Sequence, residues 1–329
     1  MSRKIGFFLL TVAIFISGRP AQAQQPAKLF RVGILIPGSP ALVSPTNLDA
    51  FREGLREFGY IEGKNVSLEY RFSEGKNELL PELARELIGL KVDVIVAPSA
   101  TAARGAKQAT TAIPIVMANA GDPVGTGLVA SLARPGGNVT GTTNITGELT
   151  GKRLELLKEA LPKVKHVGVL LDTTGRGTSR ALEDAQMTAQ VLGVKIQPLE
   201  VIPPNPDLEG AFLKATKGRV EALIIGAGPR LSFHRKRILE LEKKVRLPAI
   251  HPDSRWTDEG GLMSYGASIT DLFRRAAYFV DRILKGAKPA DLPVEQPTNF
   301  EFVINLKAAK QIGLTIPPEV LMRADKIIK

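Results

Sequence analysis

Ser99 and Thr101 flank an alanine directly after Pro98. Either hydroxyl can cap a helix starting there, and the first N–H groups of that helix suit a carboxylate. Asn119 precedes Gly121-Asp122-Pro123. Asp before Pro reads as a cap followed by proline at the first helical position, which leaves Asn119 as the better contact candidate. Thr143 and Asn144 form another polar pair. Asp172 and Asp253 could each receive an ammonium group, or equally bond their own loop backbone. Tyr265 offers a ring that stacks on a ligand or packs a hinge. Neutral donors for a carboxylate, aspartates for an amine and a ring beside the side chain describe an amino acid or related zwitterion. Trp256 is the only tryptophan and lies three residues beyond Asp253, so its fluorescence is expected to respond to ligand.

Catalytic motifs are mostly missing. There is no G-x-S-x-G elbow, no G-x-x-x-x-G-K-[ST] loop and no H-E-x-x-H helix. Gly175-Arg176-Gly177-Thr178-Ser179 lacks the lysine of a phosphate loop and reads as a turn and helix cap. The chain has no cysteine, which excludes disulfides, thiolate metal sites and a lipidated cysteine anchor. Its three histidines are far apart, and only His251, at a strand end, is placed for a site. No cofactor and no metal are expected.

The elements that must position these residues alternate. Strands are expected at Val32–Ile36, Val66–Tyr70, Val92–Ala97, Ile113–Ala118 and Val139–Thr142, with helices at Asn47–Phe58, Leu79–Gly89, Ala102–Ala109 and Val124–Leu132. A second set of strands follows at Val167–Leu171, Lys195–Val201, Ala222–Ile225, Ala249–His251 and Leu262–Ser264. Its helices are Ser179–Leu192, Leu208–Thr216 and Leu231–Val245. Near-continuous apolar strands alternating with helices indicate parallel sheets covered on both faces. Arg31-Val32-Gly33-Ile34-Leu35 is echoed by His166-Val167-Gly168-Val169-Leu170 at an offset of 135, and Ile113-Pro114 by Leu247-Pro248 at 134. The common offset predicts an α/β protein of two doubly wound, Rossmann-like lobes. A helix at Ile269–Lys285, a proline-rich linker at Pro289–Pro297 and a strand at Phe300–Ile304 are left over and suggest extra crossings between the lobes. Lobe one is expected to comprise residues 29–145 plus 267–297, and lobe two 146–266 plus 298–329.

At 329 residues, 44% hydrophobic and 23% charged, the chain is long enough for two domains with real cores. Ser2-Arg3-Lys4, the apolar run Ile5–Ile16 and Ala21-Gln22-Ala23 follow the order of a signal peptide, too short to span a membrane. Cleavage after Ala23 would leave a mature chain beginning at Gln24, without a lipid anchor, in the periplasm. It would also remove Arg3, Lys4 and Arg19 from a formal charge of +11. The basic excess is spread out. Its densest part, Arg230 to Arg246, also carries apolar residues at helical spacing and reads as a solvated helix face. Nucleic acid is not an expected partner.

Three stretches resemble the substrate-binding proteins of ABC transporters, in the family that includes tryptophan/tyrosine-type uptake proteins. They are Ile113 to Gly141 (IPIVMANAGDPVGTGLVASLARPGGNVTG), Gly261 to Gly266 (GLMSYG) and Ile283 to Asp325 (ILKGAKPADLPVEQPTNFEFVINLKAAKQIGLTIPPEVLMRAD). The resemblance implies a periplasmic-binding-protein type I fold, two lobes joined by three crossings, and ligand capture by lobe closure. It puts ligand contacts on Ser99, Thr101, Asn119, Thr143, Asp172, Asp253 and Tyr265. It also implies an ABC permease of the inner membrane as partner, with the binding protein itself a monomer. The expected role is an exported solute-binding protein without catalysis. Two other readings stay open: a periplasmic ligand sensor for a membrane receptor, and an exported hydrolase or isomerase using Asp172, Asp253 or His251.

Overall fold

The computed structural model describes residues 29–39, 45–145, 149–173, 177–202 and 205–329. The expected signal peptide, residues 40–44 and the first part of the expected turn at Gly175–Ser179 lie outside them. Among the described residues, no helix is long and apolar enough to cross a membrane.

Two sheets organise the chain. The first has the order β2-β1-β3-β4-β5, from β1 (Phe30–Ile36), β2 (Val66–Phe72), β3 (Val94–Ala97), β4 (Ile115–Ala120) and β5 (Val139–Thr143), all parallel. The second begins in the same way. Here β6 (His166–Asp172) lies between β7 (Lys195–Val201) and β8 (Ala222–Ile225), followed by β9 (Ala249–His251) and β10 (Met263–Ala267). The order 7-6-8-9-10 repeats 2-1-3-4-5, so the sequence echo between β1 and β6 marks equivalent strands. The second sheet then gains β11 (Phe300–Asn305), antiparallel to β10, and β12 (Lys326–Ile328).

The first sheet is covered by α1 (Pro45–Glu57), α2 (Leu80–Gly89) and α3 (Ala100–Ala109). The second is covered by α4 (Thr150–Ala160), α5 (Gly177–Leu192), α6 (Leu208–Lys217), α7 (Pro229–Phe233), α8 (Arg235–Val245) and α9 (Ser254–Asp258). After β10 the chain returns to the first sheet. There α10 (Ile269–Leu284) puts Phe273, Ala276, Phe279 and Val280 into one core with Val32, Ile34, Phe51 and Val94. Val294 joins the core on the opposite face of that sheet, and Glu295 pairs with Thr142. A further crossing leads to β11, α11 (Leu306–Ile312), α12 (Pro318–Leu321) and β12, which complete the second lobe. The chain therefore passes between the sheets three times.

Two helix expectations differ from the structure. Val124–Leu132 is a run of turns, because the Asp122 carboxylate accepts the Gly125 N–H at 2.8 Å and the Leu128 N–H reaches back to the Pro123 carbonyl. Two glycines in that stretch lower its helix propensity further. The stretch Leu231–Val245 is broken at His234, which separates α7 from α8.

The return of α10 depends on Gly54. A Cβ there would lie 2.7 Å from the Arg274 carbonyl oxygen and 2.9 Å from the Ala277 Cβ, so α1 and α10 meet almost backbone to backbone. Arg274 flanks the contact and pairs with both Glu53 and Glu57 at 2.7 Å. Gly54→Ala should cost about 1–3 kcal/mol by overpacking. In urea unfolding this is a lower midpoint at unchanged slope.

Candidate functional site

Parallel strands end at one edge, and in open sheets of this kind ligands sit beyond those carboxyl ends. In this chain the carboxyl ends of both sheets line one cleft of about 990 Å³. Ser99, Thr101, Asn119, Thr143 and Asn144 reach it from the first lobe, and Asp172 and Asp253 from the second. Its volume is at the upper end of the range for small-molecule sites.

The first-lobe wall is built on backbone ends. Ser99 has extended backbone and caps α3, its hydroxyl accepting the Ala102 N–H at 3.2 Å. Thr101 stands in the first helical turn. Asn144 donates from Nδ2 to the Asn119 Oδ1, tying the loops after β4 and β5 together. Thr143 is buried and its N–H is taken by the Glu295 carbonyl, so the first crossing is anchored beside the cleft. Ile145 follows at φ 44°, a region that β-branched residues avoid. Ile36, Leu48, Phe51, Ile269 and Phe273 add apolar surface on this side.

The second-lobe wall carries more charge than the sequence reading assigned to it. Asp172 ends β6 and lines the cleft; its backbone carbonyl accepts the Thr178 hydroxyl at 2.6 Å. Asp253 caps the short helix α9 and is clamped by Arg255, whose Nε and Nη2 each donate to it at 2.8 Å. Burial works to raise the Asp253 carboxyl, but Arg255 beside it, with Arg235 further off, holds it below the usual carboxylate range. In return the Asp253 charge holds the Arg255 guanidinium above its ordinary value despite burial. Asp253 thus reaches the cleft already paired with Arg255.

Tyr265 is not in the cleft. Its ring stacks on Phe300 with centroids 6.0 Å apart and packs into the second lobe's core, because its place on β10 points it at the neighbouring β11. Its backbone carbonyl accepts from the buried Arg153 at 2.8 Å. Burial pushes Arg153 down to about 10, opposed by the nearby Asp253 charge. Trp256 is fully buried behind the wall, stacked on His251 at 5.0 Å, with the cleft-lining Arg235 6.0 Å from its ring. His251 is equally buried. Its Nδ1 faces the Met263 carbonyl at 2.8 Å and its Nε2 faces Glu242, so it braces β9 against α8.

Three arginines of the wall, Arg180, Arg235 and Arg255, escaped the sequence reading, as did Phe233. Arg255 had a usable signal, being a charged residue two positions after a strand-end aspartate. Arg235 sits in a stretch whose period is that of an exposed amphipathic helix, which hides its inward direction. Among the described residues, no group of three or more His, Cys, Asp or Glu could hold a metal ion.

Two lobes, three crossings and one cleft between carboxyl strand ends define a solute-binding protein of the periplasmic-binding-protein type I fold. The chain belongs to the ABC transporter substrate binding protein family, whose model matches residues 40–328. It is 26% identical over 281 residues to a tyrosine-binding protein of Clostridioides difficile, covering 84% of this chain and 80% of that one. Among solved structures it is similar to the ABC domain in complex with L-Trp from Streptococcus pneumonia. That match has 27% identity and a TM-score of 0.83, over 92% of this chain and all of the other. A conserved domain protein from Vibrio cholerae matches at 27% identity and a TM-score of 0.82, over 92% and 99% of the two chains. The family consists of solute-binding proteins rather than enzymes.

The lobes also touch across the cleft. Gly75, at φ 83° in the loop after β2, receives the ring of Phe233 from α7, with ring atoms 3.1–3.7 Å from where a Cβ would stand. Phe233 is half exposed and lines the cleft. Because the Phe233 ring also packs on His234 of its own lobe, Phe233→Ala should favour lobe separation by at most about 1 kcal/mol, roughly fivefold. Small-angle scattering of the ligand-free variant should give a larger radius of gyration than wild type.

Proposed function

We propose that this protein is exported to the periplasm, where it captures an amino acid or related zwitterion between its lobes and delivers it to an ABC permease. The observation that carries this reading is the cleft itself, lined by polar strand-end residues of both sheets above an apolar floor. Ser99 and Thr101 at the start of α3 offer hydroxyls and a partial positive charge to a carboxylate. Asp172 offers the facing lobe's charge to an amine. Phe51, Phe273 and Leu48 suit an apolar or aromatic side chain. The tyrosine-binding relative and the similar L-Trp complex make aromatic amino acids the first to test.

In this reading lobe one comprises residues 29–145 plus 267–297 and lobe two 146–266 plus 298–329. Approach of the lobes about the three crossings buries the ligand, and the permease receives the closed form. The protein acts as a monomer without cofactor. The mature chain begins at Gln24, so intact-mass measurement on a periplasmic fraction should find a soluble species lacking residues 1–23.

Calorimetric titration with a panel of amino acids including L-tryptophan and L-tyrosine tests the ligand class. Ser99→Ala and Asp172→Ala should each weaken binding by about ten- to a hundredfold, equivalent to about 1.5–3 kcal/mol for a charge-assisted hydrogen bond. A wild type that binds no amino acid, or two variants that bind as wild type does, would defeat the zwitterion reading.

A further inference from the structure

The carboxylate of Asp253 has both oxygens engaged by one residue. Its Oδ1 accepts from the Arg255 backbone N–H at 3.2 Å and from Nε at 2.8 Å, while Oδ2 accepts from Nη2 at 2.8 Å. Three guanidiniums on three different helices exert their charge around that single carboxylate: Arg255 of α9, Arg235 of α8 and Arg153 of α4. Arg235 is paired with Glu259 as well. Arg153 is fully buried and donates to the Tyr265 and Pro252 carbonyls. Arg255 is the most exposed of the three, with one-third of its side chain accessible, and it lines the cleft. Asp253 grips the Nε–Nη2 edge, so Nη1 is the end of the fork that it does not engage. The arginines of this wall are matched by Asp172, Asp184, Asp253 and Glu259, and Arg255, which also feels Glu259, is the one that brings a partly accessible guanidinium to the cleft and is held rigid there.

We propose that Arg255 binds an anionic group of the ligand, a carboxylate in the amino-acid reading, and that Asp253 is the residue that positions it. The proposal deepens the solute-binding reading above and rests on it. A planar guanidinium fixed along one edge matches a carboxylate along another and loses little freedom on binding, whereas a free arginine would have to be ordered by the ligand. A carboxylate has about four lone-pair positions, more than one lobe's donors fill. The group that approaches Ser99 on the first lobe can therefore accept from Arg255 on the second. Binding the anion then favours the conformation in which the lobes are close, because only that conformation supplies both sets of donors.

The test is calorimetry on the full mature chain with L-tryptophan, L-tyrosine, their carboxamides, and the amine-free acid indole-3-propionate. Wild type should prefer each acid to its amide by about ten- to a hundredfold. In Arg255→Gln that preference should fall to within about threefold while amide binding persists, which also shows that the variant is folded. If Arg255→Gln does not fold, Arg255→Lys decides: it keeps the charge but not the planar fork, and the preference should drop at least roughly threefold. Asp253→Asn should reduce the preference in the same direction. An acid-over-amide preference unchanged in the Arg255 variants overturns the assignment. Indole-3-propionate binding as tightly as tryptophan, with the same dependence on Arg255, would refute the zwitterion and leave the arginine's role standing. Failure of every acid in the set to bind wild type would overturn both.

Discussion

Parallel pairing is the constraint from which the rest of this molecule follows. Strands that run the same way finish at the same edge, so their polar connections collect there and crossovers, most of them helical, carry the chain back. Here the constraint acts twice, in two sheets whose first five strands share one order, and both collecting edges face one cleft. None of the contact candidates is far from its strand end: Ser99 follows β3, Asn119 lies within β4, Thr143 ends β5 and Asp172 ends β6. The one antiparallel strand beside β10 belongs to the tail of the chain. It serves to attach the last crossing to the second sheet.

Much of this architecture is legible in the sequence, for identifiable physical reasons. Buried parallel strands are short apolar runs, so Ala222–Ile225 and Ala249–His251 match their observed limits, and the more exposed edge strand Lys195–Val201 does so as well. The strand ends named the cleft's first-lobe wall because the end of a parallel strand fixes where its next residues must go. Legibility failed where direction, rather than position, decides. Tyr265 occupies the expected strand, but its ring turns to Phe300 instead of the cleft, a choice set by cross-strand packing. Arg235 has the sequence surroundings of a solvated helix face and yet is almost buried. Asp253 lies at the expected strand end, and its pairing with Arg255 depends on both residues starting one short helix, which the strand pattern does not reveal.

The two walls differ in how they present polar groups. The first lobe meets the cleft with hydroxyls, amides and backbone N–H groups, and also with the charged Glu78, Arg104 and Asp122. The second meets it with ionised groups whose balance is set inside the lobe, by Glu259 on Arg235 and by carbonyls on Arg153. Apolar surface from the first lobe, including Phe51 and Phe273, completes the cleft.

The docking of α10 against α1 has a consequence for the order in which the molecule can be built. Val32, Phe51 and Val94 are made early, yet the core they share lacks Phe273 and Phe279 until the second sheet's first five strands have been synthesised. The second sheet is incomplete in its turn without β11, which comes later still. Neither half can finish alone, so contacts distant in sequence must form together and folding is slow by topology. Until the last segments are available, the first half has to remain an open, apolar-faced chain. Such a chain stays threadable, and it depends on its surroundings to be kept from aggregating.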